Sequence, residues 1–225
     1  MTSAIILDTE TTDFENCEVM ELAWIPYADP FHPFLQRYLP SRPPTFGAAA
    51  VHHILMSDLA DKPPSEQAPR DVPQAEYWIG HNVDFDWRAL GMPGGGQPGG
   101  IKRICTLALS RSLWPECDSH SLGAMMYFTH GMNEATRGRV RQAHSALDDV
   151  LMTSDLLKVI MQVAKITTLA ELYTASEDAR IPKVWTFGKF KGQPIEAADR
   201  GYANWCRKQP DFDPYVLEAL RRAGK

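Results

Sequence analysis

The stretch AIILDTETTDF, Ala4 to Phe14, decides how this chain of 225 residues is read. Four apolar residues describe a buried strand, and that strand runs directly into two carboxylates one residue apart. Strand side chains alternate between faces, so Asp8 and Glu10 project to the same side. Two carboxylates held that close repel each other and keep their charges near neutral pH only with a cation between them. A solvated strand end entering a turn would use the same residues, so this pair alone leaves both readings open.

Two distant segments add acids to the first. GHNVDFDWRAL (80–90) places Asp84 and Asp86 where a strand of aromatic and branched residues gives way to a helix; Asp84 reads as that helix's N-cap. HSALDDVL (144–151) puts His144 at or just before the start of a long amphipathic helix, with Asp148 and Asp149 on its first turns. Neighbours on a helix point about 100° apart, so one of those two aspartates can face inward. Favourable acids at a helix start account for the aspartates but not for the histidine. Clusters of oxygen ligands suit Mg2+ or Mn2+, and two such ions about 4 Å apart can hold an attacking water and a leaving oxygen on either side of a phosphate.

The rest of the chain supplies the scaffold. EVMELAWIPYA and PFLQRYLP read as second and third strands of an antiparallel meander, TFGAAAVHHI as a short helix, and IKRICT as a later strand. LALSRSLWP and SLGAMMYFTHG read as helices, with Thr106 and Ser119 or Ser121 as caps. GMPGGGQPGG, 91–100, is too rich in glycine and proline for regular structure and lacks the Lys-Ser/Thr ending of a phosphate loop. No early window has the character of a signal peptide and no apolar run approaches membrane-spanning length, so a cytoplasmic protein without a membrane partner is expected. Four scattered cysteines without C-x-x-C spacing suggest neither zinc nor a disulfide framework.

The net charge of −5 divides unevenly. Residues 1–182 hold 14 Lys and Arg against 23 Asp and Glu, while residues 183–225 hold 9 against 5. The basic tail, VWTFGKFKGQPIEAADRGYANWCRKQPDFDPYVLEALR, interleaves aromatic residues with lysines and arginines, a texture that serves base stacking and phosphate attraction or a small core with solvated lysines. Arg137, Arg139 and Arg141, read as a loop beside His144, offer a further phosphate-attracting cluster or simply a solvated one.

DTETTD, HNVDFDWRAL and HSALDD, in this order, resemble the three motifs of the DEDDh family of 3'-to-5' exonucleases. The resemblance implies an α/β, ribonuclease H-like exonuclease fold, a mixed sheet flanked by helices, over residues 1–165. It implies that Asp8, Glu10, Asp86 and Asp149 hold two Mg2+ or Mn2+ ions and that His144 is the general base. It also implies substrate contacts from Thr11, Thr12, His52 and Asn82; Asp13 departs from the family's usual glycine. The basic block resembles the small C-terminal domain of a DNA-degrading member of that family, giving an expected linker over 166–180 and an α+β module over 181–225. The expected activity is hydrolysis of DNA from free 3' ends, single-stranded and duplex, in repair. Trimming of RNA 3' ends, or a non-catalytic nucleic-acid-binding subunit with a broken site, are the alternatives.

Overall fold

The computed structural model describes residues 4–92, 100–142, 145–210 and 212–225; His144 and most of the glycine-rich segment lie outside them. The opening apolar run forms β1 (Ala4–Thr11), followed by β2 (Val19–Pro26), β3 (Phe34–Arg37), β4 (Tyr77–Gly80) and β5 (Lys102–Cys105). The sheet order is β3-β2-β1-β4-β5. β1 to β3 form the antiparallel meander, and β4 and β5 join in parallel to β1. This mixed sheet, flanked by helices, is the expected ribonuclease H-like arrangement.

β1 lies at the centre because both of its faces are apolar. Ile5 and Leu7 enter a cluster with Trp78, Val83 and Trp87, the last two from α2 (Val83–Ala89). The other face is covered by α6 (Ala146–Ala164), which runs across β1 and β2. Parallel pairing of β1 with β4 covers Ala4 to Ile6 only, after which β4 ends at Gly80 and the chain turns into α2. A side chain at Gly80 would crowd the Leu7 carbonyl, so glycine lets this turn close against β1. Past Ile6, β1 therefore continues without β4, and the end bearing Asp8 and Glu10 opens beside α2 and α6.

Several local expectations change. Asn82, not Asp84, occupies the N-cap of α2, in left-handed conformation and without a side-chain capping bond; Asp84 sits in the first turn and pairs with Arg103 at 2.7 Å. Cys105 is the N-cap of α3 (Thr106–Leu113), while Thr106 is buried and its hydroxyl bonds the His81 ring at 3.0 Å. Ser121 caps α4 (Leu122–His130), as expected. The arginine-bearing segment is a helix, α5 (Glu134–Gln142), whose polar sequence and Gly138 hide any apolar stripe. Within it Arg137 pairs with Glu134, and Arg139 pairs with Asp155 at 2.6 Å, so two of the three arginines are engaged within the protein.

The stretch expected as a linker contains α7 (Leu169–Arg180), for which its Leu, Ala and Glu content is well suited. Two compact units divide at Tyr173 and Thr174. The second unit holds α8 (Arg200–Lys208) and α9 (Pro214–Arg222) around a core of Trp185, Ile195, Ala203, Cys206, Val216 and Leu220. Among its described residues the β content is one isolated bridge, Val184 to Pro194, in place of the expected α+β mixture. No helix among the described residues is long and apolar enough to cross a membrane.

Leu7 is fully buried in the strand that carries the acids. Leu7→Ala is expected to lower unfolding free energy by about 2–5 kcal/mol in urea denaturation, the cost of a core cavity; a cost below about 0.5 kcal/mol would contradict the central placement of β1.

Candidate active site

Asp8, Glu10 and Asp149 converge, each offering a carboxylate oxygen within 4.8 Å of the others. Strand alternation brings the first two to one face of β1. Helix periodicity selects the third: Asp149 shares the sheet-facing stripe of α6 with Thr153, Leu156 and Ile160, all buried. Asp148 belongs to the helix end instead, where the Ser145 hydroxyl accepts from its backbone N–H at 3.2 Å and donates to its carboxylate at 2.6 Å.

Asp86 approaches from the α2 side. Its Oδ1 accepts from both the backbone N–H of Thr9 at 2.9 Å and the Thr9 hydroxyl at 2.8 Å, which fixes this 2% exposed carboxylate beneath the end of β1. Thr9, lying between the two strand acids on the opposite face, thus ties Asp86 to the same strand. It is a positioning residue that sequence reasoning missed.

Glu21 was missed as well. It stands directly opposite Glu10 across the β1–β2 pair and is fully buried. One of its oxygens accepts from Arg37 Nε at 2.6 Å and the other from the backbone N–H of Ala146, the first residue of α6, at 2.9 Å. A carboxylate at a helix N-terminus is favourable there, and this one fixes the end of α6 only one turn before Asp149. The clue in sequence was an acid inside an apolar strand at the alternation phase of Ala23 and Ile25.

Crowding shapes the electrostatics. Burial, then the carboxylates of Asp86, Asp149, Glu10 and Glu21, push Asp8 well above the usual carboxylate range. Burial, with Asp149, Glu21 and Asp86 adding to it, pushes Glu10 up to about 8. Asp86 rises to about 7 through burial, against the hydrogen bonds from Thr9. The donor set is wholly carboxylate and in excess of negative charge, which fits a hard divalent cation.

A cleft of about 350 Å3 adjoins these acids, lined by Glu10, Thr11, Phe14, Val51, His52 and Phe85 among others. The β1–β2 register shifts between Glu10 and Thr11, two of the residues that line it. His52 is the last residue of α1 (Phe46–His52) and is buried, with Nδ1 accepting from the Ile54 N–H at 2.9 Å and burial pushing its pKa down. The neutral ring therefore carries its proton on Nε2. His53 is the left-handed C-cap of α1, a conformation in which a small residue is the usual choice.

Thr12 is buried and its polar groups have partners within the protein. Its N–H donates to the Glu18 carbonyl, its carbonyl accepts from the Thr45 N–H, and its hydroxyl accepts from the Glu18 N–H. At the cleft mouth Phe14, 63% exposed, stacks on Phe85 with centroids 5.4 Å apart. This aromatic step also escaped the sequence reading.

Two outcomes follow from this electrostatic arrangement. Between about pH 4.5 and 8 the raised carboxyls bind more protons folded than unfolded, so the metal-free protein should lose stability as pH rises through that window. A divalent cation, whose ligands must shed those protons, should then raise the melting temperature more at pH 8 than at pH 5.5. Melting curves in EDTA and in MnCl2 check this, and a shift independent of pH would contradict it. Glu21→Ala, which strips Arg37 and the Ala146 N–H of their acceptor, should cost about 1–3 kcal/mol in denaturant titration.

No family model matches the chain. A solved structure of exonuclease X in complex with 5' overhanging duplex DNA superposes with a TM-score of 0.59 at 28% identity, covering 77% of this chain and 99% of that one. The zinc-bound Escherichia coli ExoI–ssDNA complex shares the fold, with a TM-score of 0.59 at 17% identity over 80% of this chain and 43% of that one. Exodeoxyribonuclease 10 of Escherichia coli (strain K12) is 32% identical over 206 residues, 89% of this chain and 88% of the relative. With that identity over nearly the whole length, and with the acids of all three motifs gathered at one end of the expected sheet, the chain belongs to the exodeoxyribonuclease 10 family.

Proposed function

We propose that this chain is a metal-dependent exodeoxyribonuclease that hydrolyses the terminal phosphodiester bond at DNA 3' ends and releases nucleoside 5'-monophosphates. The observation that carries this reading is the meeting of Asp8, Glu10 and Asp149 within 4.8 Å at the edge of a nucleotide-sized cleft. A non-catalytic binding subunit has no use for such a cluster, whose mutual repulsion works against the fold.

In this reading Asp8, Glu10 and Asp149, with Asp86 beside them, would hold two Mg2+ or Mn2+ ions. When bound, the ions supply Lewis-acid polarisation of the phosphate and offset the charge that develops on the departing 3' oxygen. His144, one residue before the Ser145 cap of α6, takes a proton from the attacking water. The water oxygen bonds to phosphorus as the bond from phosphorus to the 3' oxygen breaks, and that oxygen leaves as a hydroxyl after protonation from solvent. Thr9 holds one oxygen of Asp86 and so leaves the other for the site.

The cleft receives the terminal nucleoside. Thr11 and His52, which line this cleft, are the candidate contacts for its sugar, the exposed ring of Phe14 offers a stacking surface for the base, and Asn82, whose side chain makes no capping bond, is a further candidate contact. A cytoplasmic setting agrees with the cysteines, none of which forms a disulfide.

Labelled oligonucleotides test this reading. With Mg2+ or Mn2+, a 5'-labelled DNA strand should shorten from its 3' end, faster than the matched RNA. Asp8→Asn and Asp149→Ala should abolish the ladder, and a His144 substitution should slow it about 100-fold or more, the scale of a lost general base. Wild-type trimming by Asp8→Asn would overturn the assignment.

A further inference from the structure

The unit Thr174–Lys225 carries more aromatic surface than its core uses. Trp185, 2% exposed, lies at the centre of that core, with Phe190 and Tyr202 against it. The rings continue outward. Tyr202 stacks on Trp205 with centroids 5.5 Å apart and an interplanar angle of 24°, Trp205 meets Phe212 edge-on at 6.3 Å, and Phe212 meets Phe187 at 5.9 Å. Phe187 and Trp205 remain 39% and 50% exposed, so two large rings at the rim of a completed core still face water.

Local structure holds these rings in place. The Trp185 N–H donates to the Gln193 carbonyl and the Gly192 N–H to the Trp185 carbonyl, each at 2.8 Å, closing the loop between them. Gly188, at φ +70°, lies so near the Tyr202 hydroxyl that a side chain would collide with it, which pins the loop against α8. The loop thus presents Phe187, Lys189 and Lys191 together, with Lys189 Nζ 5.0 Å from the Phe190 ring centre. On α8, Lys208 follows Trp205 by three positions and so lies on the same helix face. These lysines are exposed and belong to the basic end of an otherwise acidic chain.

We propose that Phe187, Trp205, Lys189, Lys191 and Lys208 form a second binding surface, separate from the carboxylate cluster, for single-stranded nucleic acid. Half-open rings accept base faces without regard to sequence, and flanking lysines neutralise phosphates. Lys189 already pairs with Asp199 at 3.4 Å, so the charge argument rests on Lys191 and Lys208, which an apolar peptide using the rings would leave unmatched. The surface would hold a strand whether or not the chain cleaves it.

The test uses the full chain in EDTA, so that nothing is degraded, with fluorescein-labelled dT and rU strands of about 20 nucleotides and a blunt duplex of about that length. Fluorescence anisotropy should show strand binding that weakens about 5-fold or more in Trp205→Ala, the scale of one lost base stack, and recovers in Trp205→Phe. Replacing Lys191 and Lys208 together by glutamine should make the salt dependence shallower by about one to two counterions. Trp205-dependent binding of either strand supports the surface and tells which strand it takes.

Wild-type affinity in Trp205→Ala with an unchanged circular dichroism spectrum, or a duplex bound as tightly as the strands, would overturn the proposal. Should Trp205→Ala unfold, the lysine pair decides, and an unchanged salt slope counts against the surface. A wild-type chain that binds through Trp205 in EDTA yet trims nothing when metal is restored would refute the nuclease reading and leave this one standing.

Discussion

Repulsion among buried carboxylates is the constraint around which this molecule is organised. Asp8, Glu10 and Asp149 crowd their oxygens within 4.8 Å, and Asp86 and Glu21 add their charge from either side. Burial makes the charges of Asp8, Glu10 and Asp86 costly, so these three acids resist ionisation without a metal and a divalent cation offsets the cost. The scaffold keeps the acids together against that repulsion. Leu7 and Ile5 anchor β1 in the core, Thr9 ties Asp86 to it, and Glu21 joins the start of α6 to the sheet.

The topology explains why the acids meet at this edge of the sheet. β1 outruns its parallel partner β4, whose chain turns away at Gly80 to form α2, so the last residues of β1 are flanked by two helices. One helix delivers Asp86 and the other Asp149. Residues distant in sequence thereby converge with few loops involved, and rigid elements set their spacing. The same turn leaves the adjoining cleft open to a ligand, with the stacked pair Phe14 and Phe85 at its mouth.

Much of this was legible in the chain because it follows from periodicity. Alternation along a strand placed Asp8 and Glu10 together; the 3.6-residue repeat of a helix allowed one of Asp148 and Asp149 to face inward, and the family resemblance chose Asp149. Glu21 was hidden because an acid in an apolar strand looks like an ordinary solvent-facing position; its burial depends on the Ala146 N–H, 125 residues away. Asp84 resembled a cap, yet the left-handed Asn82 starts the helix and Asp84 turns to Arg103. α5 escaped notice because its arginines and glycine carry no apolar stripe, and α7 because its polar composition resembles a hinge.

Direct counting of bound Mn2+ at pH 8, by titration calorimetry alongside electron paramagnetic resonance, reaches the central claim without any need for turnover. Wild-type protein should bind Mn2+ at the site, with affinity lost in Asp8→Asn and in Asp149→Asn while both variants keep a folded circular dichroism spectrum. If both neutralised variants bound Mn2+ as tightly as the wild type, the carboxylate cluster would not be the cation site and the account would be contradicted.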